Sequence, residues 1–186
     1  MSEARPDLKS SNVIYKGRVF SVTTDAIAYP DGRVVAMDVV RHPGSVVLLP
    51  MTAPDRILLV RQYRYVVDQW LWELPAGTRE RGESLHAAAL RECHEETGKI
   101  AGRAEKLISL FPSPGFCDEQ MSFFLLTELR DRLPQEAPAH QDPDEVLTVK
   151  EFSVDEVRTM VRVGEISDMK TAIGINLIEK GVRGKG

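Results

Sequence analysis

The sequence predicts an α+β fold, a layered α/β/α sandwich with a mixed sheet, preceded by a small N-terminal β-unit. Three observations predict it. Strand-like and helix-like runs are interspersed without the regular alternation of a parallel βαβ protein. Residues 12–28 and 33–40, rich in Val, Ile and aromatics, stand apart at the start and flank a Tyr29-Pro30-Asp31-Gly32 turn signal. The 186 residues are 42% hydrophobic and 28% charged, which are globular proportions with enough apolar material for one core and an added element.

The first β-unit ends near His42-Pro43-Gly44, so the chain divides at 1–43 and 44–186. Two apolar runs, 45–50 and 57–64, read as strands separated by Ala53-Pro54-Asp55. A helix is expected over about 84–97, with Ser84 as its N-cap and Gly98 just past its end. Strands are expected at 105–111 and 121–128, with the loop 112–119 between them. The Pro- and acid-rich stretch 129–145 reads as a loop and 146–152 as a strand. The capping box Ser153-x-x-Glu156 opens a helix that Gly164 closes, and a last helix spans about 168–180.

Composition excludes several classes. No apolar run approaches the ~18 residues that span a bilayer. The polar start MSEARPDLKSSN has no apolar signal region, and the cysteines Cys93 and Cys117 have no metal-type spacing. A reduced, cytoplasmic protein is expected. The net charge of −4 gives no footprint for nucleic acid. Such a protein can still handle an anionic substrate when divalent cations mediate the contact.

The informative stretch is GTRERGESLHAAALRECHEETGKI, 77–100. At about 100° per residue, Glu96 lies about 40° to one side of Glu92 and Glu95 about 60° to the other. The three acids continue the arc that carries Leu85, Ala88 and Ala89, where an ordinary solvated face would lie opposite. They also crowd the C-terminal end of the helix, where its dipole disfavours them. At ~6 Å and an effective dielectric of ~20, each pair repels by roughly 2–3 kcal/mol when partly buried. In full solvent the cost falls to a few tenths of a kcal/mol. A divalent cation removes the conflict, since Mg²⁺ and Mn²⁺ prefer carboxylate oxygens. Geometry alone leaves the solvated acidic face and the metal site both open.

The residues then match a family pattern. Gly77, five residues, Glu83, seven residues, then Arg91-Glu92-Cys93-His94-Glu95-Glu96-Thr97-Gly98 resembles the Nudix box at every charged and glycine position. Lys99 departs from it, standing where an aliphatic residue is usual. The resemblance implies a loop–helix–loop on an α/β/α sandwich and a metal-dependent pyrophosphohydrolase using Mg²⁺ or Mn²⁺. It implies that Glu92 and Glu96 are direct metal ligands. Glu95 would be a further ligand or hold a bound water, and the Ala76 carbonyl would supply another oxygen. Arg91 and Glu83 are expected to pair and fix the loop.

Outside the box, Ser113-Pro114-Gly115-Phe116-Cys117-Asp118-Glu119 resembles the loop of the ADP-ribose pyrophosphatase subfamily. On that resemblance Pro114, Gly115 and Phe116 bind substrate, a nucleoside diphosphate sugar. Arg61-Gln62-Tyr63-Arg64 resembles the strand that places an Arg near the substrate phosphates, with Arg64 the candidate. Trp72-Glu73-Leu74-Pro75-Ala76-Gly77 resembles the approach to the box and brings in Glu73. The resemblance also implies a homodimer built through the N-terminal β-unit, which would supply base-stacking aromatics. Phe20 and Tyr29 are candidates for stacking, with core aromatics of a small sheet as the plainer reading. In the acidic loop His140-Gln141-Asp142-Pro143-Asp144-Glu145, Glu145 is the first choice of catalytic base and Asp144 the second. The alternatives are a Nudix hydrolase of another nucleotide (GDP-mannose, an oxidised nucleoside triphosphate, a dinucleoside polyphosphate) and a non-catalytic sensor. Sensors tend to lose box acids, and this chain keeps them.

Overall fold

A computed structural model describes residues 5–138 and 146–178. The chain forms two compact units, one of Met1–Ser45 with Ser109–Met121, the other of Val46–Ile108 with Ser122–Gly186.

The first unit carries an antiparallel sheet in the order β1 (Asp7–Lys16), β2 (Ser21–Ala28), β3 (Val34–Arg41). The expected 12–28 run is two strands, because Gly17 N–H donates to the Phe20 carbonyl and turns the chain. The Tyr29–Gly32 turn forms as expected. Gly32 N–H donates to the Tyr29 carbonyl at 2.9 Å, and its φ of 89° is a conformation that favours glycine. The 109–121 segment joins this unit through Val40, whose N–H donates to the Phe116 carbonyl at 2.7 Å. Among the described residues the buried side chains here are Thr23, Asp25 and Ser45, none of them apolar. Asp25 accepts from the Ser11 hydroxyl at 2.6 Å and from the Arg41 guanidinium. These bonds hold its carboxyl below its ordinary range, the Ser11 bond most of all.

The second unit holds a sheet in the order β10 (Thr148–Ser153), β5 (Arg56–Arg64), β4 (Ser45–Ala53), β9 (Met121–Asp131), β8 (Lys99–Leu110). β6 (Gln69–Glu73) pairs with β5, and β7 (Ala76–Thr78) with β4. The helices are α1 (Leu85–Thr97), α2 (Val154–Arg162) and α3 (Met169–Leu177). Side chains alternate across a strand, so a run such as Val46-Val47-Leu48-Leu49, buried throughout, must serve two faces. Val46 and Leu48 of β4 and Phe124 and Leu126 of β9 pack with Ala88, Ala89 and Cys93 of α1. Leu49 and Phe123, of the other parity, face α3, where a side chain placed at Gly174 would touch both. Helices therefore cover both faces of one sheet, and the fold is α+β as expected.

The helix signals in the sequence act as expected. Ser84 accepts from Ala87 N–H at 3.1 Å, and Gly98 closes α1 with φ 69°. Both bonds of the Ser153–Glu156 capping box form. Several strand boundaries differ from expectation. β8 begins at Lys99 where 105 was expected, and β9 runs on to Asp131, into the expected loop. β10 starts at Thr148, two residues later than expected. β6 and β7 had no separate expectation. Helix α3 lies inside the expected 168–180, of which 179 and 180 are outside the described residues. Among the described residues no helix is long and apolar enough to cross a membrane.

Candidate active site

Arg91 organises the acids of α1 and the loop before it. A guanidinium has five N–H donors in a fixed fork, and all five are used. Nε and Nη2 each donate to Glu83 at 2.9 Å, in bidentate fashion. Nη2 also donates to the Thr78 carbonyl at 3.2 Å. Nη1 donates to Glu92 at 2.8 Å and to Glu95 at 2.7 Å. The Glu83 bond is the largest cause of a guanidinium acidity pushed far below the ordinary, with Glu92 and Glu95 adding to it. Glu83 is held below the usual carboxylate range by Arg91 first and by the Glu80 N–H, at 3.0 Å, second.

Glycine 77 shapes the other side. A Cβ built there would lie 1.9–2.1 Å from the three terminal carboxylate atoms of Glu92. The space a side chain would fill is therefore taken by that carboxylate. Glu96, one turn along α1, accepts from Ala76 N–H at 3.2 Å. Both glutamates are buried, at 8% and 4% exposure. Two buried carboxylates thus meet one dipeptide, Ala76-Gly77. Beside it Glu83, Glu92 and Glu95 share a single guanidinium. Among the described residues no three His, Cys, Asp or Glu side chains are gathered around one point. Arg91 spans Glu92 and Glu95, and Glu96 is held at Ala76. The donors are all oxygens and their charge exceeds that of Arg91, which suits a hard divalent cation.

Arg64 and Glu73 form a second cluster in the same unit, in a cleft of about 440 Å³. The Arg64 fork grips Glu73 at 2.7 and 2.6 Å, and Lys170 of α3 donates to the same carboxylate. Burial pushes the Glu73 carboxyl up, but Arg64 and Lys170 outweigh it and its pKa is lowered. Lys170 also pairs with Asp168 at 3.1 Å. Lys170 and Asp168 were not anticipated as part of this cluster. An N-cap Asp and a Lys inside an apolar helix were the only local signals.

Pro114, Gly115 and Phe116 belong to the first unit, where with Met37, Val39 and Phe111 they line a cleft of about 270 Å³. Asp118 fixes that loop by accepting from His42 N–H at 2.8 Å and from Arg41 at 3.1 Å. Phe20 is exposed and leans on Tyr15 at 6.0 Å, while Tyr29 lies under the Arg33 guanidinium at 5.2 Å. Neither ring is a buried core aromatic. Glu145 and Asp144 lie outside the described residues.

An acid-bearing helix between two loops on an α/β/α sandwich defines the class. Residues 41–168 match the family model described as NUDIX domain, and the chain belongs to the NUDIX family. Relatives that align along most of the chain are more specific. The ADP-ribose pyrophosphatase of Bacillus subtilis (strain 168) is 34% identical over 166 residues, 89% of this chain and 88% of that protein. The ADP-ribose pyrophosphatase of Mycobacterium tuberculosis is 34% identical over 176 residues, 94% of this chain and 84% of that protein. Among solved structures, an ADP compounds hydrolase superposes with a TM-score of 0.81 at 18% identity, covering 100% of this chain and 98% of that one. That last likeness is one of fold.

Proposed function

We propose that this Nudix enzyme hydrolyses the pyrophosphate bond of ADP-ribose to AMP and ribose 5-phosphate, and acts on related nucleoside diphosphate sugars by the same chemistry. The observation that carries this reading is the seating of the buried Glu92 carboxylate in the gap at Gly77, beside Glu96 on Ala76 N–H. The near full-length likeness to ADP-ribose pyrophosphatases supports the substrate.

Glu92, Glu96, Glu95 and the Ala76 carbonyl would hold Mg²⁺ or Mn²⁺. When bound, the ion supplies neutralisation of the diphosphate charge and activation of a water nucleophile. Arg91, with Glu83 behind it, keeps the glutamates in place. Arg64 offers positive charge to the substrate phosphates, and Glu73 fixes its fork. Pro114, Gly115 and Phe116 contact the substrate. Glu145 takes the proton of the attacking water, with Asp144 or the box residue Glu95 as the alternative base. The water oxygen bonds to phosphorus, the bridging P–O bond breaks, and the leaving phosphate departs with its electron pair.

The enzyme works as a cytoplasmic homodimer, with the 1–43 β-unit as the dimerisation and base-binding element. The exposed Leu8, Val13, Ile14 and Tyr15 of β1 support that role.

The test is a Mg²⁺-dependent assay over a panel of nucleoside diphosphate sugars, with Glu96→Gln as control. The expected result is a preference for ADP-ribose and a loss of orders of magnitude in rate for Glu96→Gln, with its fold retained. A preference for GDP-mannose overturns the substrate, and a Glu96→Gln variant of unchanged rate overturns the chemistry.

A further inference from the structure

The first turn of α3 touches the backbone that leads into the acid site. Leu74 N–H, fully buried, donates to Thr171 Oγ1 at 2.7 Å, across 97 residues of chain. The Thr171 hydroxyl donates in turn to Asp168, which also accepts from Thr171 N–H at 2.9 Å. Next to it, Lys170 donates to Glu73, the residue before Leu74. Thr171, Lys170, Glu73 and Leu74 are all buried. Only Pro75 separates Leu74 from Ala76. Its ring fixes φ, and its carbonyl accepts from Leu48 N–H at 2.9 Å. Residues 73–76 are therefore held at every step, and little slack remains to absorb a shift at Leu74 before it reaches Ala76-Gly77.

We propose that Thr171 and Lys170 are positioning residues for the metal-side backbone. By fixing Leu74 and Glu73 they set where Ala76 N–H meets Glu96 and where the gap at Gly77 receives Glu92. The chemistry of the contact supports a positioning role. A buried ion pair is weak evidence for stability, since apolar residues of similar volume often serve as well. A buried backbone N–H in this region needs an acceptor, and here the acceptor is a single side chain from a distant helix. This inference rests on the proposed metal site.

The test compares Thr171→Val, which keeps the shape and removes the hydroxyl, with Thr171→Ser, which keeps the hydroxyl. The full chain is titrated with Mn²⁺ in the absence of nucleotide, free Mn²⁺ being read by its paramagnetic resonance signal. kcat and KM for ADP-ribose are then measured. Thr171→Val should weaken Mn²⁺ binding and lower kcat by about 10-fold or more, the usual effect of losing a group that supports metal ligands. KM should change by less than about threefold, and Thr171→Ser should stay within about threefold of the parent in all three quantities, small beside the loss expected of Val. If Thr171→Val does not fold, Lys170→Met carries the same expectation for Mn²⁺ affinity through Glu73. A folded Thr171→Val or Lys170→Met chain with parental Mn²⁺ affinity overturns the positioning role, as does a Ser variant that falls as far as Val. A parent chain that does not bind Mn²⁺ overturns the metal-site reading itself, which distinguishes the two failures.

Discussion

At the residue scale, Gly77 shows how an absent side chain can serve a site. The nearest atoms that an added Cβ would strike are the far end of Glu92, a flexible side chain that can swing aside. Gly77→Ala should therefore leave stability within about 1 kcal/mol and displace the carboxylate. Activity is expected to fall about 10–100-fold with the melting temperature unchanged or slightly raised. A variant with parental kcat would refute the seating of Glu92 as a functional feature.

Glu83 gives a prediction in pH. Arg91 and the Glu80 N–H hold its pKa below the ordinary 4.5. A carboxylate depressed on folding contributes stability above its unfolded pKa and loses it as pH falls through the folded value. The stability gap between the parent and Glu83→Gln should then be full at neutral pH and shrink as pH drops below about 4.5. Urea melts at a series of pH values would measure it, and a flat gap would rule out Arg91 as the cause. Cys93 is the counterpart inside the core. Burial pushes its thiol up to about 11, which fits a packing residue with no thiolate chemistry.

At the element scale, what the sequence revealed depended on how local its signals were. α1 was legible to the residue because Ser84, Gly98 and the spacing of the glutamates all act within one or two turns. The first half of β8 was not. As the last strand in its sheet it carries Arg103, Glu105 and Lys106, and with Gly102 it reads as a loop. β6 was missed because five residues with two tryptophans are too few to show alternation. The Thr171–Leu74 bond had no sequence signature, since it joins residues 97 apart. The pairing of Arg91 with Glu83 was implied by the box, whereas its reach to Glu92 and Glu95 emerged only from geometry. Packing gives a prediction at this scale as well. A Cβ at Gly174 would lie 2.3 Å from Leu74 Cδ1 in a filled core. Overpacking of this kind costs about 1–3 kcal/mol, more than the gain of about 1 kcal/mol from replacing a helical glycine. Gly174→Ala should thus lower the denaturation midpoint, and an equal or higher midpoint would show that Leu74 has room to move.

At the scale of the whole molecule, the two units are stabilised by different means. The second is built around β4, sheltered by helices on both faces, with Val46, Val47, Leu48 and Leu49 fully buried. The first has an antiparallel ladder around a buried Asp25 held by Ser11 and Arg41, with no apolar side chain buried among its described residues. In most folds apolar burial stabilises more than polar contacts do. Isotopic exchange of backbone amides should therefore be slowest in β4 and reach β1–β3 through openings of much lower free energy. If a second copy covers that small sheet, its protection must rise with protein concentration. Protection that is independent of concentration would leave the dimer without support. With a second copy seated on it, a ladder with so little oil behind it would persist only in company, and dilution alone would begin to undo it while the unit around β4 stays shut.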